Sequence, residues 1–221
     1  MTPIYKPKGA AAEYGEYALN IYTGCPHGCF YCYVPSVLHC DRAAFHSNVE
    51  PRKNIVEKTR KQLERDKTIR GKLIHLCFAC DPYPTGYDTT PTREIIKLLK
   101  EYGNHIQILT KGNGERDLDL LDSDDWYGIT IDGGDLTTNE VRRMQILEGI
   151  HKRDIKTWIS FEPVVNAENV LIYIRRCAFA DKIKIGKLNY HKSNINWADF
   201  GRRAEALCHS RFSRRRRPRE R

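Results

Sequence analysis

Six alternations of a strand-like run with a helix-like run constrain the fold of this chain more than any other feature. The strand-like runs are rich in β-branched and aromatic residues, and the runs between them place apolar residues with a 3.6-residue period. We predict strands at 17–22, 72–79, 105–110, 126–131, 156–161 and 181–187. Parallel strands need helical crossovers, and such crossovers are right-handed. The order therefore predicts an α/β fold, a partial TIM-type barrel of about six βα units.

The length of 221 residues suits one domain with a sizeable core. Residues 17–208 contain every predicted unit and form the expected core domain, and residues 1–16 form an N-terminal extension. The formal charge is +9, but residues 211–221 (RFSRRRRPRER) carry seven Arg and one Glu, so that they supply +6 and leave +3 for the rest. We expect residues 209–221 to be a basic, disordered tail.

The tail sequence has two interpretations. Clustered arginines gain affinity for nucleic acid through phosphate contacts and counterion release, so the tail is a candidate nucleic-acid-binding arm. A truncated or shifted C-terminus would have the same composition.

Membrane and secretory functions are disfavoured by the sequence. No run approaches the roughly 18 apolar residues of a membrane span, and the first residues lack the apolar stretch of a secretory signal. We expect a cytoplasmic protein that does not contact a membrane. Eight cysteines are too few for a disulfide scaffold of this length, and three of them lie within eight positions, which favours a role as ligands.

Polar residues follow the predicted strands at their carboxyl ends. In a parallel barrel, functional groups collect at that edge because the loops converge there. The sequences Asp81-Pro82 and Glu162-Pro163 are also common in ordinary turns. The expected mouth is ringed by the cysteine loop and by Asp81, Lys111, Thr130 or Asp132, Ser160, Glu162, Lys187, Asn189 and Tyr190.

Cys25, Cys29 and Cys32 form a CxxxCxxC loop directly after the first predicted strand. With this cysteine content, the chance of such a spacing is roughly 1%. Thiolates are the usual ligands of iron-sulfur clusters, and a 4Fe-4S cluster takes four. Three local cysteines would leave one iron open, and an open position is what distinguishes a catalytic metal from a structural one.

The segment NIYTGCPHGCFYCY resembles the cluster loop of the radical S-adenosylmethionine (SAM) superfamily, including Tyr31 before the third cysteine. More narrowly, the GC-x-H-x-C-x-YCY form and the segments CDPYP, ILTK and RDLDLL resemble the spore photoproduct lyase-like branch, whose members are described as DNA repair photolyase-like. The resemblance spans about residues 17–208. The chain departs from the lyase because its cluster loop begins only 25 residues in, which puts spore DNA repair in question as the activity.

This resemblance implies an enzyme that cleaves SAM reductively and produces a 5′-deoxyadenosyl radical. It implies a 4Fe-4S cluster on the three cysteines, SAM as a second cofactor, and an external electron donor of the flavodoxin or ferredoxin type. The implied substrate is a nucleic acid or nucleotide, and the implied reaction is that of a lyase. The resemblance suggests SAM contacts at Tyr31, Asp81, Lys111, Ser160 and Glu162, and a hydrogen-atom relay or substrate site at Tyr33, Cys80 and Lys187.

Other interpretations remain open at this point. The same three cysteines with Cys40 or His27 would suit a structural zinc site, in which case the chain is a nucleic-acid-binding module with a Cys-ligated metal. A decayed member of the family would keep the cluster without turnover. Cys77 and Cys80 suit buried inert thiols as well as a hydrogen-donor role.

Overall fold

A seven-stranded sheet organises the chain in the computed structural model, which describes residues 2–134, 138–189 and 191–215, and the side chains of these ranges apart from residues 138 and 209–215. The spatial order of the strands follows the sequence, from β1 to β7. The strands are β1 (Ile4–Tyr5), β2 (Tyr17–Leu19), β3 (Leu73–Leu76), β4 (His105–Thr110), β5 (Trp126–Thr130), β6 (Lys156–Phe161) and β7 (Lys182–Ile185).

Helices connect the parallel strands. The α-helices are α1 (Val34–Leu38), α2 (Arg42–Ser47), α3 (Ile55–Arg65), α4 (Thr90–Glu101), α5 (Thr138–His151), α6 (Ala167–Arg176) and α7 (Trp197–Arg215). Two 3-10 helices occupy Gly9–Glu13 and Glu115–Leu120. None of the helices in the described ranges combines the length and the hydrophobicity that crossing a membrane requires.

The predicted α/β architecture is confirmed. Strands β2 to β7 are parallel to one another, and each corresponds to one of the six predicted strands. Within the described residues the sheet stays open, with β1 and β7 at its edges, as expected of a partial barrel. All the crossovers therefore bring their loops to one edge of the sheet, the carboxyl edge, where the cysteine loop follows β2.

Several boundaries differ from the sequence-based expectation. Within the predicted N-terminal extension, β1 pairs antiparallel with β2, through Ile4 opposite Leu19, and a two-residue strand is too short to show periodicity. The first predicted strand ends at Leu19 rather than at residue 22. Helix α7 continues to Arg215, into the segment 209–221 for which a tail is predicted, and residues 216–221 lie outside the described residues.

Aromatic side chains fill the concave face of the sheet. The ring of Tyr14 lies 5.5 Å from that of His75, 5.5 Å from Phe78 and 5.7 Å from Trp158, each edge-on. Trp158 is fully buried and donates its Nε1 proton to Ile108 O over 2.9 Å. We call Tyr14, His75, Phe78 and Trp158 the aromatic plug. It closes the inside of the sheet beneath the carboxyl edge.

The imidazole of the plug is held uncharged. Burial lowers the pKa of His75 to about 3, and nearby lysine charges act in the same direction, so this imidazole is neutral at pH 7. Its Nδ1 lies 2.9 Å from Gln107 Nε2, which can donate to the neutral ring. Gly128 leaves the space for Trp158, since a Cβ there would lie 2.1 Å from the indole Nε1.

Candidate functional site

The three cysteines of the loop present free, partly buried thiols at the carboxyl edge of the sheet. The preceding residue, Gly24, lets the loop approach helix α2 closely, since a Cβ at this position would lie 2.4 Å from Phe45 O. Burial raises the pKa of Cys25 to about 12 and also raises the pKa of Cys32. Metal ligation requires the thiolate, so a bound cation would be the group that deprotonates this loop.

The chemistry of the donor set suits an iron-sulfur cluster. Cysteine thiolates are the usual ligands of such clusters, and Cys25, Cys29 and Cys32 supply three thiols from one loop. Among the described residues, these three do not form a group whose sulfur atoms all lie within 4.8 Å of one another. The donor set therefore fits a cluster with three protein ligands.

The additional ligands considered for zinc, Cys40 and His27, have different surroundings. Cys40 Sγ lies 3.8 Å from Pro35 O. His27 Nε2 lies 3.0 Å from Asp81 Oδ2, an ion-pair contact whose angles fall outside those of a hydrogen bond. Neither side chain forms a compact metal-binding group with the cysteine loop among the described residues.

Tyr31, Lys111 and Asp132 form one network across the carboxyl edge. Tyr31 donates its hydroxyl proton to Asp132 Oδ2 over 2.6 Å, and Lys111 Nζ donates to the same oxygen over 2.8 Å. Lys111 Nζ also contacts the Tyr31 hydroxyl. The cysteine loop is thereby tied to the ends of β4 and β5. Of the two residues expected after β5, the structure brings Asp132 into the site.

The charges of this network balance one another. Burial tends to raise the pKa of Asp132, but the Lys111 ammonium and the hydrogen bonds from Lys111 and Tyr31 outweigh it and lower that pKa. The pKa of Tyr31 is raised, first by burial and then by the negative charge of Cys29 and Asp132. At neutral pH the network therefore contains an ammonium, a carboxylate and a neutral phenol.

Asp81 is buried, and its two oxygens are satisfied within the protein. Oδ1 accepts from Thr110 Oγ1 over 2.5 Å and from the Tyr83 amide over 2.8 Å, and Oδ2 accepts from the Lys111 amide over 2.8 Å. Burial tends to raise the pKa of Asp81, but the His27 contact and these hydrogen bonds lower it overall. The carboxylate joins the loop after β3 to the end of β4 and fixes the backbone from which Lys111 projects.

Ser160 and Glu162 meet at the end of β6. Ser160 Oγ donates to Glu162 Oε2 over 3.1 Å, and the Tyr14 hydroxyl of the plug donates to the same oxygen. Burial, followed by the hydrogen bond to Glu162, raises the pKa of Tyr14. Gly186 makes room for the glutamate, since a Cβ there would lie 2.7 Å from Glu162 Cγ. The predicted pair thus forms a second polar group at the mouth.

The residues predicted for a hydrogen-atom relay lie beside the loop. Tyr33 is 50% exposed and donates its hydroxyl proton to Phe78 O over 3.3 Å. Cys80 Sγ accepts from the Tyr22 amide over 3.4 Å. Burial tends to raise the pKa of Cys80, but the hydrogen bond from the Cys77 thiol and that backbone bond lower it. Both side chains therefore lie on the β3 side of the cysteine loop.

Lys187 lies on the other side of the mouth. Its side chain is exposed, and its Nζ lies 5.5 Å from the centre of the Trp197 ring in α7. A cavity of about 690 Å³ opens on this side, lined by Phe30 of the cysteine loop, Asn166, His191, Asn194 and further residues of α6 and α7. Tyr190, also expected here, lies outside the described residues.

Three contributors to the site were missed by sequence reasoning. Tyr14 comes from the segment expected to be an extension, and its sequence neighbourhood carries no signal for a role in the core. Arg42 and His46 lie on helix α2, whose six residues are too few for a periodic pattern. Their spacing of four residues places them on one helix face, and this was the available signal.

Comparison with known proteins gives one family and one group of structures. The family model described as the radical SAM superfamily matches residues 19–167. A mutant of spore photoproduct lyase with bound AdoMet and dinucleoside spore photoproduct is similar in structure, with a TM-score of 0.64 and 14% identity, over 98% of this chain and 65% of that chain. A second mutant of that lyase, with the dinucleoside spore photoproduct, has a TM-score of 0.61 and 13% identity, over 98% of this chain and 65% of that chain.

These structural similarities concern the fold. The chain spans 65% of the length of the two spore photoproduct lyase structures. No match was found among curated protein sequences. The family model, in contrast, covers the cysteine loop, the Lys111 and Asp132 network and the β6 end in a single stretch.

Proposed function

The chain belongs to the radical SAM superfamily, and from this premise we propose that it cleaves SAM reductively at a 4Fe-4S cluster held by Cys25, Cys29 and Cys32. The observation that carries the proposal is the loop of three free thiols at the edge of the sheet where an ammonium and two carboxylates converge. When bound, the cluster supplies the electron that splits SAM into methionine and a 5′-deoxyadenosyl radical.

The network of Tyr31, Lys111 and Asp132 is the proposed site for the charged end of SAM. A carboxylate would bind the Lys111 ammonium, which has three donors, of which the structure shows bonds to Asp132 and Tyr31. Asp132 would accept from an amino group. Charge-assisted bonds of this kind are about twice as strong as neutral ones, which suits a ligand that must be held in one orientation.

The remaining polar residues of the mouth are proposed to act in two ways. Asp81 holds the Lys111 backbone and Thr110, and its satisfied oxygens make it a positioning residue rather than a ligand contact. Ser160 and Glu162 lie at the neighbouring strand end, where the Glu162 carboxylate can accept hydrogen bonds from the hydroxyls of a ribose. The plug beneath them excludes water from the reacting side of the site.

The substrate is proposed to be a nucleic acid or nucleotide, and the reaction that of a lyase. Exposed Lys187, beside the 690 Å³ cavity, is a suitable phosphate contact. On the other side of the loop, Cys80 would give its thiol hydrogen atom to a substrate radical, and Tyr33 would restore the thiol from its phenol. One electron from the external donor and one proton from solvent would then return the Tyr33 phenoxyl radical to the phenol. An electron donor of the flavodoxin or ferredoxin type would supply the cluster from outside.

The direct test is anaerobic reconstitution with iron and sulfide, then reduction in the presence of SAM and assay for 5′-deoxyadenosine. We expect product from the wild type and none from Cys32→Ala. Cys40→Ala is the matched control, because it removes an exposed cysteine that lies outside the trio, and it should retain product formation. A wild-type protein that takes up no iron or forms no 5′-deoxyadenosine would refute the proposal.

The substrate class needs a separate test. Ultraviolet-irradiated DNA and unirradiated DNA of the same sequence are added to the reduced enzyme with SAM, and both 5′-deoxyadenosine and repaired DNA are measured. We expect irradiated DNA to increase turnover. Equal turnover with both DNAs would remove the photolyase-like assignment and leave SAM cleavage standing.

A further inference from the structure

Helix α2 contacts the backbone of all three cysteines in the loop. Arg42 Nη1 donates to Cys32 O over 3.0 Å, and Arg42 Nη2 donates to Cys29 O. His46 Nδ1 lies 2.7 Å from Cys25 O, so this nitrogen carries the proton of the bond. The carbonyl groups of all three cysteines are therefore held by two side chains of one helix.

We propose that Arg42 and His46 are positioning residues that preset the loop for its cluster and, through Arg42, place a positive charge beside it. This inference rests on the proposed function. Groups that orient metal ligands without binding the metal commonly affect metal affinity. In this loop the bonds are made to backbone oxygen atoms, which leaves all three thiols free for iron.

The geometry of helix α2 explains why two side chains are enough to hold the carbonyl groups of three cysteines. Arg42 and His46 are four residues apart, so their side chains project from the same face. The planar guanidinium of Arg42 offers donors on two separate nitrogen atoms, one for each carbonyl, in a fixed geometry that the single rotating ammonium of a lysine lacks. Asp41 begins the helix by accepting from the Ala44 amide over 2.8 Å, so the first turn of the helix is capped without the loop.

The backbone supports the same arrangement. The Cys25 amide donates to Phe45 O over 3.2 Å, and the Cys32 amide donates to Cys29 O over 2.9 Å. The absence of a side chain at Gly24 permits the close approach to α2. The loop is thus pressed against the helix at its first cysteine and bridged by Arg42 at its second and third.

The charge of Arg42 has a consequence of its own. Among the described residues, Arg42 forms no ion pair with a carboxylate, in contrast to Arg60, whose guanidinium binds Glu101. The reduction potential of an iron-sulfur cluster depends on the net charge around it. An uncompensated guanidinium at the loop should favour the reduced cluster, the state that SAM cleavage requires.

The test uses the full-length chain with four variants. Arg42→Gln removes the charge and the bridge, Arg42→Lys keeps only the charge, and His46→Phe removes the donor to Cys25 O. Arg60→Gln is the matched control, because Arg60 is also an exposed, doubly bonded arginine but lies on α3. For each reconstituted protein we measure the rate of iron loss to EDTA, the reduction potential of the cluster by EPR-monitored titration, and the melting temperature of the iron-free chain.

We expect Arg42→Gln to lose iron about 10- to 100-fold faster than the wild type, the range found for groups that orient metal ligands, and to have a more negative potential. Arg42→Lys should lose iron faster while keeping a potential near that of the wild type. His46→Phe should lose iron faster, and Arg60→Gln should match the wild type. The melting temperatures of the iron-free variants should stay close to that of the iron-free wild type.

Two results would overturn the inference while the proposed function stands. One is iron loss from Arg42→Gln and Arg42→Lys at the wild-type rate. The other is faster loss accompanied by a matching fall in the melting temperature of the iron-free chain, because that would make Arg42 a support of the fold. Failure of the wild type itself to bind iron would refute the proposed function and the inference with it. The wild-type sample alone distinguishes this outcome from the two results above.

Discussion

The cysteine loop and the aromatic plug lie on the same sheet but are held by opposite means. The loop is fixed through its backbone by polar side chains, and it leaves large apolar groups in solvent, with Phe30 54% and Tyr33 50% exposed and Val37 of the adjoining helix 63% exposed. The plug is fixed by its side chains, with His75 and Trp158 almost completely buried. The plug is thus part of the buried interior, whereas the loop lies at the edge where the proposed chemistry takes place, so substitutions should separate stability from ligand binding.

The largest expected effect is on stability, from Trp158→Ala in the plug. Removal of a buried tryptophan costs about 3–5 kcal/mol of unfolding free energy, and this indole also loses its bond to Ile108 O. Denaturant unfolding of the iron-free chain measures the change. Trp126→Ala, at a partly exposed tryptophan in the neighbouring strand, should cost clearly less. Equal losses in the two variants would contradict the role given to the plug.

A smaller effect, on ligand binding alone, is expected from Lys111→Met. The loss of charge-assisted hydrogen bonds worth about 1.5–3 kcal/mol should weaken SAM binding by about 10- to 100-fold, because the ammonium is the proposed partner of the SAM carboxylate. Equilibrium binding of SAM to the reconstituted protein gives the measurement. Lys61→Met, on the exposed face of α3, is the control. Unchanged affinity in Lys111→Met would exclude the ammonium from the SAM site.

A further effect on stability should appear as a pH dependence due to His75. Its pKa is lowered by burial from 6.5 to about 3 in the folded chain, so below pH 6.5 the unfolded chain binds a proton that the folded chain does not. Stability is thus retained above pH 6.5 and falls as the pH decreases toward 3, by about 2 kcal/mol between pH 7 and pH 5.

The measurement compares the unfolding free energies of the wild type and His75→Gln at pH 7 and pH 5. The neutral glutamine should remove this part of the pH dependence, whereas His39→Gln, at an exposed histidine, should keep it. Parallel pH curves for the wild type and His75→Gln would show that the imidazole is not buried as the structure describes.

The smallest effect is expected from Leu38→Ser on the loop side. Leu38 is exposed at the end of α1, and surface substitutions of this kind usually change stability by less than about 0.5 kcal/mol. Iron uptake should also be unchanged. A large loss of stability in this variant would mean that the loop side shares the structural role assigned to the plug.

The repeated alternation of strand-like and helix-like runs in the sequence predicted the sheet and its crossovers well. Six strands with alternating helices were recognisable because runs rich in β-branched and aromatic residues alternate with runs of helical period, and their parallel order followed from the crossovers. The position of the cysteine loop at the carboxyl edge followed from that order. At the start of α6 the side chain of Asn166 accepts from the Asn169 amide, in agreement with the preference of asparagine for this position.

Short and long-range features were not predictable in the same way. The two-residue strand β1 and the short helices α1 and α2 contain too few residues for a periodic signal. The contact between Tyr14 and Glu162 joins residues 148 positions apart, which no local pattern encodes. The residue type of Asp81 predicted its place at the carboxyl edge, but the sequence did not predict its hydrogen bonds. Its buried carboxylate accepts from Thr110 and from the Lys111 amide.

The most direct test of the account is the low-temperature EPR spectrum of the reduced, reconstituted protein with and without SAM. Three cysteine ligands on a 4Fe-4S cluster leave one iron open, so binding of SAM to that iron should change the spectrum of the wild type. The change should be lost or strongly weakened in Lys111→Met at the same SAM concentration. A 4Fe-4S spectrum that stays the same at saturating SAM would contradict the open iron on which the proposed function depends.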